Sequence, residues 1–582
     1  MTQNNKICFI FHINEESTYQ ESIRYLQEVL VPEGFETEVI ELRNIINVAS
    51  SFNEAMRKSN AKYKVYLNDN VLIVNKNFIN CAISNFTKNP NVGIIGMLGT
   101  NTPSLTGKVE SAFSFIGNKY IREEDGKLER IKNYMSSAPL PQVKLLDGKL
   151  LVTQYDIAWR EDIVLTSDYL GESQSLEFIE KGFHAAVVKQ DVDWFLYEPK
   201  RYGNKVDSSR ELFLTEYYSK LFPKVSVLIP TYNRPVYFEQ ALQSVINQTY
   251  KNLEIVVCDD STNDETANLI TKYLENYDNI FYIKNPSNLG QFRNDLQCMD
   301  LSTGEFINFL MDDDLFHPTK IERMMNYYLQ DTNGDVNLIT SHRHIIDSEG
   351  RIVEDRKLTK KAFEEDTLLE GVTFGDYALK YNWNFIGEPT TVLFRKSALK
   401  SPFGTFCGRE YGCNVDMASW LTLLTEGKAI YISDTLSYFR EHSNQQLQSD
   451  LMKLLGAADY AHELLYAPSK GFLKKSEDML FALEYCLGYT AKIMNNVNKN
   501  IKNHTIYFEL LDFMEEIKVR RADLLKKQMI EEKNEIKRIE SLMKDATEEY
   551  KLTKDYGELL LIYEILNIKS DIYESEQSER GR

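Results

Sequence analysis

Two stretches of this chain repeat one design. KICFIFHINEE from residue 6 and KVSVLIPTYNRP from residue 224 are apolar, strand-forming runs that stop abruptly at a polar tip. The tip is His12 to Asn14 in the first and Thr231 to Asn233 in the second. Further on, SFNEAMRKSNAKYKVYLNDNVLI at 51–73 and QFRNDLQCMDLSTGEFINFLMDDDLF at 291–316 each read as helix, turn, strand and polar tip. SQSLEFIEKGFHAAVV and MASWLTLLTEGKAIYI each read as a helix closed by a glycine, Gly182 or Gly427, and then a β-rich run. Strands alternating with helices build parallel α/β sheets, and a unit stated twice predicts two such domains in tandem.

The junction is expected at 215–223, where LTEYYSKLFP runs into Pro223 ahead of the second opening strand. This sets domains over 1–218 and 219–445. Beyond 445 the strand patterns stop, and 446–582 is charged and helical in period. That region reads as a bundle with a solvated face, or as an arm through which copies of the chain pair. A net charge of −19 argues against general nucleic-acid binding. The seven cysteines include no C-x-x-C pair, so neither a zinc site nor a disulfide framework is indicated. No stretch approaches the ~20 apolar residues of a membrane span, and the opening residues lack a signal-peptide pattern. The expected location is cytoplasmic.

Ligands of open α/β sheets bind at the carboxyl ends of the strands. Three such ends are polar in the second domain: VLIPTYN closes at Thr231–Asn233, LEIVVCDDSTND at Asp259 and Asp260, and FINFLMDDD at Asp312, Asp313 and Asp314. Three carboxylates on one strand tip repel unless a cation or water offsets them. Carboxylates suit Mg²⁺ or Mn²⁺, which in turn hold phosphate oxygens, so a nucleoside diphosphate is the expected ligand.

VSVLIPTYNRPVYFEQALQSVINQTYKNLEIVVCDDSTNDET, the NLG turn, the MDDD tip and the later helix GREYGCNVDMASWLTLLTEG resemble, in that order, a family 2 glycosyltransferase of the GT-A fold. The resemblance implies that Pro230, Thr231, Tyr232 and Asn233 line a nucleoside pocket, and that Asp259 with Asp260 meets the base. It places Asn288 and Gly290 in the turn before a basic residue near the phosphates, for which Arg293 is the candidate. Asp312 is expected at the donor sugar or water, Asp313 and Asp314 at the metal, with His442 as a further ligand and Arg440 at the diphosphate. Trp383 and Glu388, in WNFIGEPTTVLFR, are expected near donor or acceptor, and Asp416 matches the family's catalytic base. The implied reaction is inverting transfer of a sugar from a nucleotide donor, a UDP-sugar by expectation, to a protein (such as flagellin or an adhesin) or a glycan.

SFNEAM, AKYKVYLNDNVLIVNKNFI, VGIIGMLGT and TQYDIAWRED resemble a StrF-type, glycosyltransferase-like module. Its strand tip reads Asn68-Asp69-Asn70-Val71, so a neutral amide stands where that module has an aspartate. Asp416 lies eleven residues before Gly427; eleven before Gly182 is Gly171, which cannot accept a proton. The first domain is therefore expected to be non-catalytic. Asp69, Asp168 and Glu172 leave a bifunctional enzyme with two active sites open; a carbohydrate- or protein-binding scaffold is the other alternative, against which Asp259, Asp313 and Asp416 argue.

Overall fold

The computed structural model describes residues 2–122, 127–132, 138–190, 193–198, 208–354, 356, 359–442 and 449–550. The chain falls into two compact units. The first holds Met1–Gly371, Phe385–Lys400 and Glu426–Ser443; the second holds Val372–Asn384, Ser401–Thr425 and the described part of Asn444–Arg582.

The first unit contains both α/β sheets. In the N-terminal sheet the strands Glu36–Arg43, Gln3–Ile13, Ala61–Asn68, Leu150–Thr153, Val92–Gly96 and His184–Val187 lie side by side in that order. Within this run only Leu150–Thr153 is antiparallel to its neighbours. In the second sheet Leu253–Asp259, Val225–Thr231, Phe306–Phe309, Leu393–Arg395, Val336–Ile346 and Lys428–Arg440 follow one another, and again only the fourth runs against its neighbours. A short strand follows each polar tip directly, in a separate sheet for the first domain and in the same sheet for the second. Val71–Ile73 pairs antiparallel with Phe195–Tyr197, and Leu315–Phe316 with Lys428–Arg440. The repeat in the sequence is a repeat of topology.

Val225–Thr231 is buried at every position, as a parallel strand covered on both faces must be. Gly182 and Gly427, which follow the helices Leu170–Glu180 and Val415–Leu424, have φ of 83° and 79°. A side chain there would strain the turn into the next strand.

The helix Ser208–Leu221 leads from the first sheet into the second. On one side Phe213 stacks on Tyr169 with ring centres 4.7 Å apart, and the Tyr217 hydroxyl donates to Glu177 over 2.6 Å. On the other, Tyr218 meets Tyr250 edge-on at 5.5 Å. One continuous apolar core draws residues from both sheets. The expected junction at 218 thus falls inside a packed helix.

The second unit is mostly helical, with Asp450–Tyr466, Ser476–Asn496 and Thr505–Tyr550 as its long members. Helices therefore follow the sheets as expected; 551–582 lie outside the described residues. The 46 residues of Thr505–Tyr550 span about 70 Å at the usual helical rise. Among the described residues no helix is long and apolar enough to cross a membrane. All seven cysteines are free thiols.

Candidate active site

The register of the second sheet brings its polar ends together. Thr231 pairs with Asp259, and Val225–Thr231 is flanked on its other side by Phe306–Phe309, the strand that leads to the three aspartates. Asp312 is tied to the opening strand: its Oδ2 accepts from Thr231 Oγ1 over 3.0 Å and from the Tyr232 amide over 3.1 Å. Arg234 Nη1 donates to Asp312 Oδ1 over 2.9 Å and to Asp313 Oδ2 over 3.1 Å. The same Asp313 oxygen lies 2.9 Å from His442 Nε2. Asp313 and His442 therefore converge, and one guanidinium bridges the two carboxylates.

The cost of the crowding is visible in proton affinity. Burial, then the neighbouring Asp313 charge, push Asp312 up to about 6 against the pull of Arg234. Burial and Asp313 also hold Asp314 well above the usual carboxylate range. Asp295, buried on the helix Gln291–Leu301, is raised well above that range by burial and then by Asp312.

The other predicted residues have partners within the fold. Asp314 faces away from its neighbours; it accepts from Thr390 Oγ1 over 2.6 Å and from the Arg440 amide over 2.9 Å. Arg440, expected at a diphosphate, is fully buried. Its Nε donates to the Asp313 carbonyl over 2.6 Å, its Nη2 to Gln240 over 2.8 Å, and its guanidinium lies 4.7 Å from the centre of the Tyr237 ring. That is a fastener of the strand tip. Asp260 is likewise structural: it accepts from the amides of Leu289 and Gly290 and from Asn285 Nδ2, all within 3.0 Å, and so holds the NLG turn. Asp259 accepts from the Ser261 amide and from the Tyr282 hydroxyl over 2.9 and 2.8 Å. Asn233, at φ 53°, exchanges hydrogen bonds with Thr262, while Pro230 is buried in its strand and Tyr232 is exposed. Glu388 pairs with the buried Arg343, whose Nη2 donates over 3.1 Å. Arg293 is exposed in the first turn of its helix, against the Phe292 ring. The cation that does reach the aspartates is Arg234, which the sequence reading passed over although it directly follows the TYN tip.

Asp416 and Trp383 belong to the second unit. There Asp416 Oδ2 accepts from Asn384 Nδ2 over 2.7 Å and Oδ1 from the Met417 amide over 2.8 Å. The turn that starts its helix is clamped by buried Asp459, which accepts from the amides of Gly412, Cys413 and Asn414 within 3.1 Å. The Trp383 amide closes the preceding helix on the Ala378 carbonyl.

Among the described residues no three His, Cys, Asp or Glu side chains gather closely enough to hold a metal by themselves. Two do converge, Asp313 and His442. One or two protein ligands completed by substrate phosphate and water is the usual Mg²⁺ arrangement, and a carboxylate ligand such as Asp313 suits Mn²⁺ equally. The donor set fits a divalent ion that shares its shell with a diphosphate.

In the first domain the corresponding tip is closed. Asp69 Oδ2 accepts from the amides of Asn14 and Glu15 over 2.7 and 2.6 Å, and Asn70 Nδ2 donates to the Glu198 carbonyl over 2.8 Å. Asp168 pairs with Lys108 over 3.1 Å. Gly171 lies so near its neighbours that a Cβ would sit 2.5 Å from the Asp147 carbonyl carbon.

Residues 8–217 match the glycosyltransferase like family, and residues 226–402 match glycosyl transferase family 2. A glycosyltransferase of uncharacterised role from Methanocaldococcus jannaschii is 32% identical over 145 residues, which are 25% of this chain and 49% of that protein. A Campylobacter jejuni GalNAc(5)-diNAcBac-PP-undecaprenol beta-1,3-glucosyltransferase is 29% identical over 219 residues, 38% of this chain and 65% of that protein. The chain thus spans about half to two thirds of these curated relatives. Among solved structures, Staphylococcus aureus TarS 1-349 in complex with UDP-GlcNAc superposes with a TM-score of 0.34 at 17% identity, over 50% of this chain and 90% of that one. The family 2 match ends before Asp416, Arg440 and His442. Residues 226–402 thus form a glycosyl transferase family 2 domain, with a glycosyltransferase-like module over 8–217 ahead of it.

Proposed function

We propose that residues 219–445 form an inverting, metal-dependent glycosyltransferase that moves a sugar from a nucleotide donor, of the UDP-sugar class, to a glycan or protein acceptor. The observation that carries this is the shared Asp313 oxygen, within 3.1 Å of both His442 and Arg234 at the carboxyl ends of the strands. Thr231, Tyr232, Asn233 and Asp259 would line the nucleoside pocket, with Asp312 at the donor sugar. Asp313 and His442 would hold Mn²⁺ or Mg²⁺, which supplies positive charge against the leaving diphosphate. Asp416 would take the proton from the attacking hydroxyl. Hydrogen bonds from Asn384 and the Met417 amide orient the carboxylate within its own unit. Attack opposite the departing phosphate inverts the anomeric carbon. The C. jejuni relative, named for transfer to an undecaprenol-linked glycan, favours a glycan acceptor. We assign no active site to residues 1–218, where the acidic tip is neutral or tied to backbone. The long C-terminal helix exposes Met529, Ile536 and Leu542, which suits pairing with a second copy.

The test is release of nucleoside diphosphate and transfer to a glycan panel by the full chain with Mn²⁺, scanned over nucleotide sugars. Turnover should require the metal, Asp313 and Asp416. Full turnover in chelator would refute the metal-dependent reading. No turnover with any nucleotide sugar, together with no nucleotide binding, would favour the scaffold.

A further inference from the structure

The acidic tip already contains a cation of its own. Arg234 Nη1 sits between Asp312 Oδ1 and Asp313 Oδ2, at 2.9 and 3.1 Å. The side chain is 29% exposed, against 6% and 12% for the two carboxylates it joins, so it closes the tip from the solvent side. Among the described residues its Nε and Nη2 make no hydrogen bond; one nitrogen of the guanidinium does all the bonding to protein. Arg440 is the opposite case. Its guanidinium is fully buried and fixed by the carbonyls of Asp313, Asp347 and Ser348 and by Gln240. The tip has one anchored arginine and one lightly held arginine.

We infer that Arg234 is an exchangeable counter-ion: it balances Asp312 and Asp313 until a divalent ion takes the Asp313 oxygen, and then turns to the donor's diphosphate. This rests on the metal-dependent reading above. Two cations cannot share one carboxylate oxygen at bonding distance without strong repulsion, so arrival of the ion must displace Nη1. The released guanidinium is rooted at the head of the helix Pro235–Ile246, on a long flexible stem, beside the tip where phosphate oxygens would meet the ion. Its planar fork matches those oxygens in a way a point charge does not. Metal and nucleotide should then bind with positive cooperativity, each strengthening the other by the same factor. Arg234 in this role is a positioning and specificity residue for the diphosphate.

The experiment measures Mn²⁺ binding to the nucleotide-free full chain, by electron paramagnetic resonance of free Mn²⁺, for wild type, R234Q, R234K and D313A. UDP titrations in saturating Mn²⁺ follow. Removing the competing cation should tighten Mn²⁺ binding by about tenfold in R234Q, while UDP binding in Mn²⁺ weakens by a similar factor. R234K retains a charge and should bind Mn²⁺ close to wild type, which also guards against misfolding of R234Q as the cause. If wild type binds Mn²⁺, D313A does not, and R234Q binds it no tighter than wild type, the exchange is refuted while the metal site stands. If no form binds Mn²⁺ with or without UDP, the metal-dependent reading fails and the exchange with it.

Discussion

The two α/β domains have the same six strands in the same order, yet their strand tips do opposite things with charge. In the first, one Asp69 oxygen accepts from two backbone amides and Asn70 donates to a carbonyl, while Asp69 Oδ1 and Asn70 Oδ1 are buried without a hydrogen-bond partner. In the second, Asp312 and Asp313 share a single nitrogen of Arg234, and Asp312 is pushed up to about 6 by burial and by its neighbour. The second tip crowds carboxylates around one cation and raises their proton affinity, as sites that take ligands do; the first holds a lone carboxylate on backbone. The teaching is that topology is shared while polarity has been resolved differently on each copy.

The sharpest way to break this contrast lies in the residue proposed as base. Asp416→Asn keeps the hydrogen bond shape but removes basicity. It should lower kcat by about a hundred- to ten-thousandfold with donor affinity nearly unchanged, read by steady-state kinetics and UDP titration. Normal turnover would remove Asp416 from the chemistry. Next is Asp313→Ala, expected to lower kcat/KM by about a hundredfold or more, as chelator should in wild type. Calorimetry on wild type with Mn²⁺ should count one nucleotide per chain; a count of two would restore the first domain as an enzyme.

The remaining tests probe the first domain. Gly171→Ala should destabilise the fold by about 1–3 kcal/mol, because its Cβ would press on the Asp147 backbone. Denaturant melts check this, and an unchanged midpoint would show that the loop gives way freely. Asp69→Asn should leave transfer at wild-type level and cost about 1 kcal/mol, since the amide oxygen still accepts from the loop but without charge. A further test concerns pH. Buried Glu172 accepts from the Val109 amide over 3.1 Å, and burial first, with Asp147 and Glu110 adding to it, raises the carboxyl to about 7 from 4.5. The folded state therefore binds this proton more tightly than the unfolded one. Its contribution is fully present below pH 4.5 and is lost as pH rises to about 7. Glu172→Gln should flatten that decline in melts taken across this range.

The strand tips were legible because the signal is local: an apolar run meets carboxylates within a few residues. So was the repeat, since hydrophobic period and closing glycines survive divergence. The direction in which each carboxylate points was not legible. Asp260 faces Leu289 and Gly290, and Asp314 faces Thr390 and the Arg440 amide, partners distant in sequence that tertiary packing brings together. The cation at the aspartates was not legible for a related reason. Arg293 carries the family pattern, whereas Arg234 reaches the aspartates only because Asn233 takes a left-handed turn between strand and helix.

Gly171 has a further consequence for descent. A single codon change could write aspartate at that position, but the backbone of Asp147 and Gly148 already occupies the space a β-carbon would need. Regaining a carboxylate there requires the neighbouring loop to move first, and no gain in catalysis would reward that first step. The position opens to a side chain only after that move, so a substitution at Gly171 and a change in the loop of Asp147 and Gly148 are coupled.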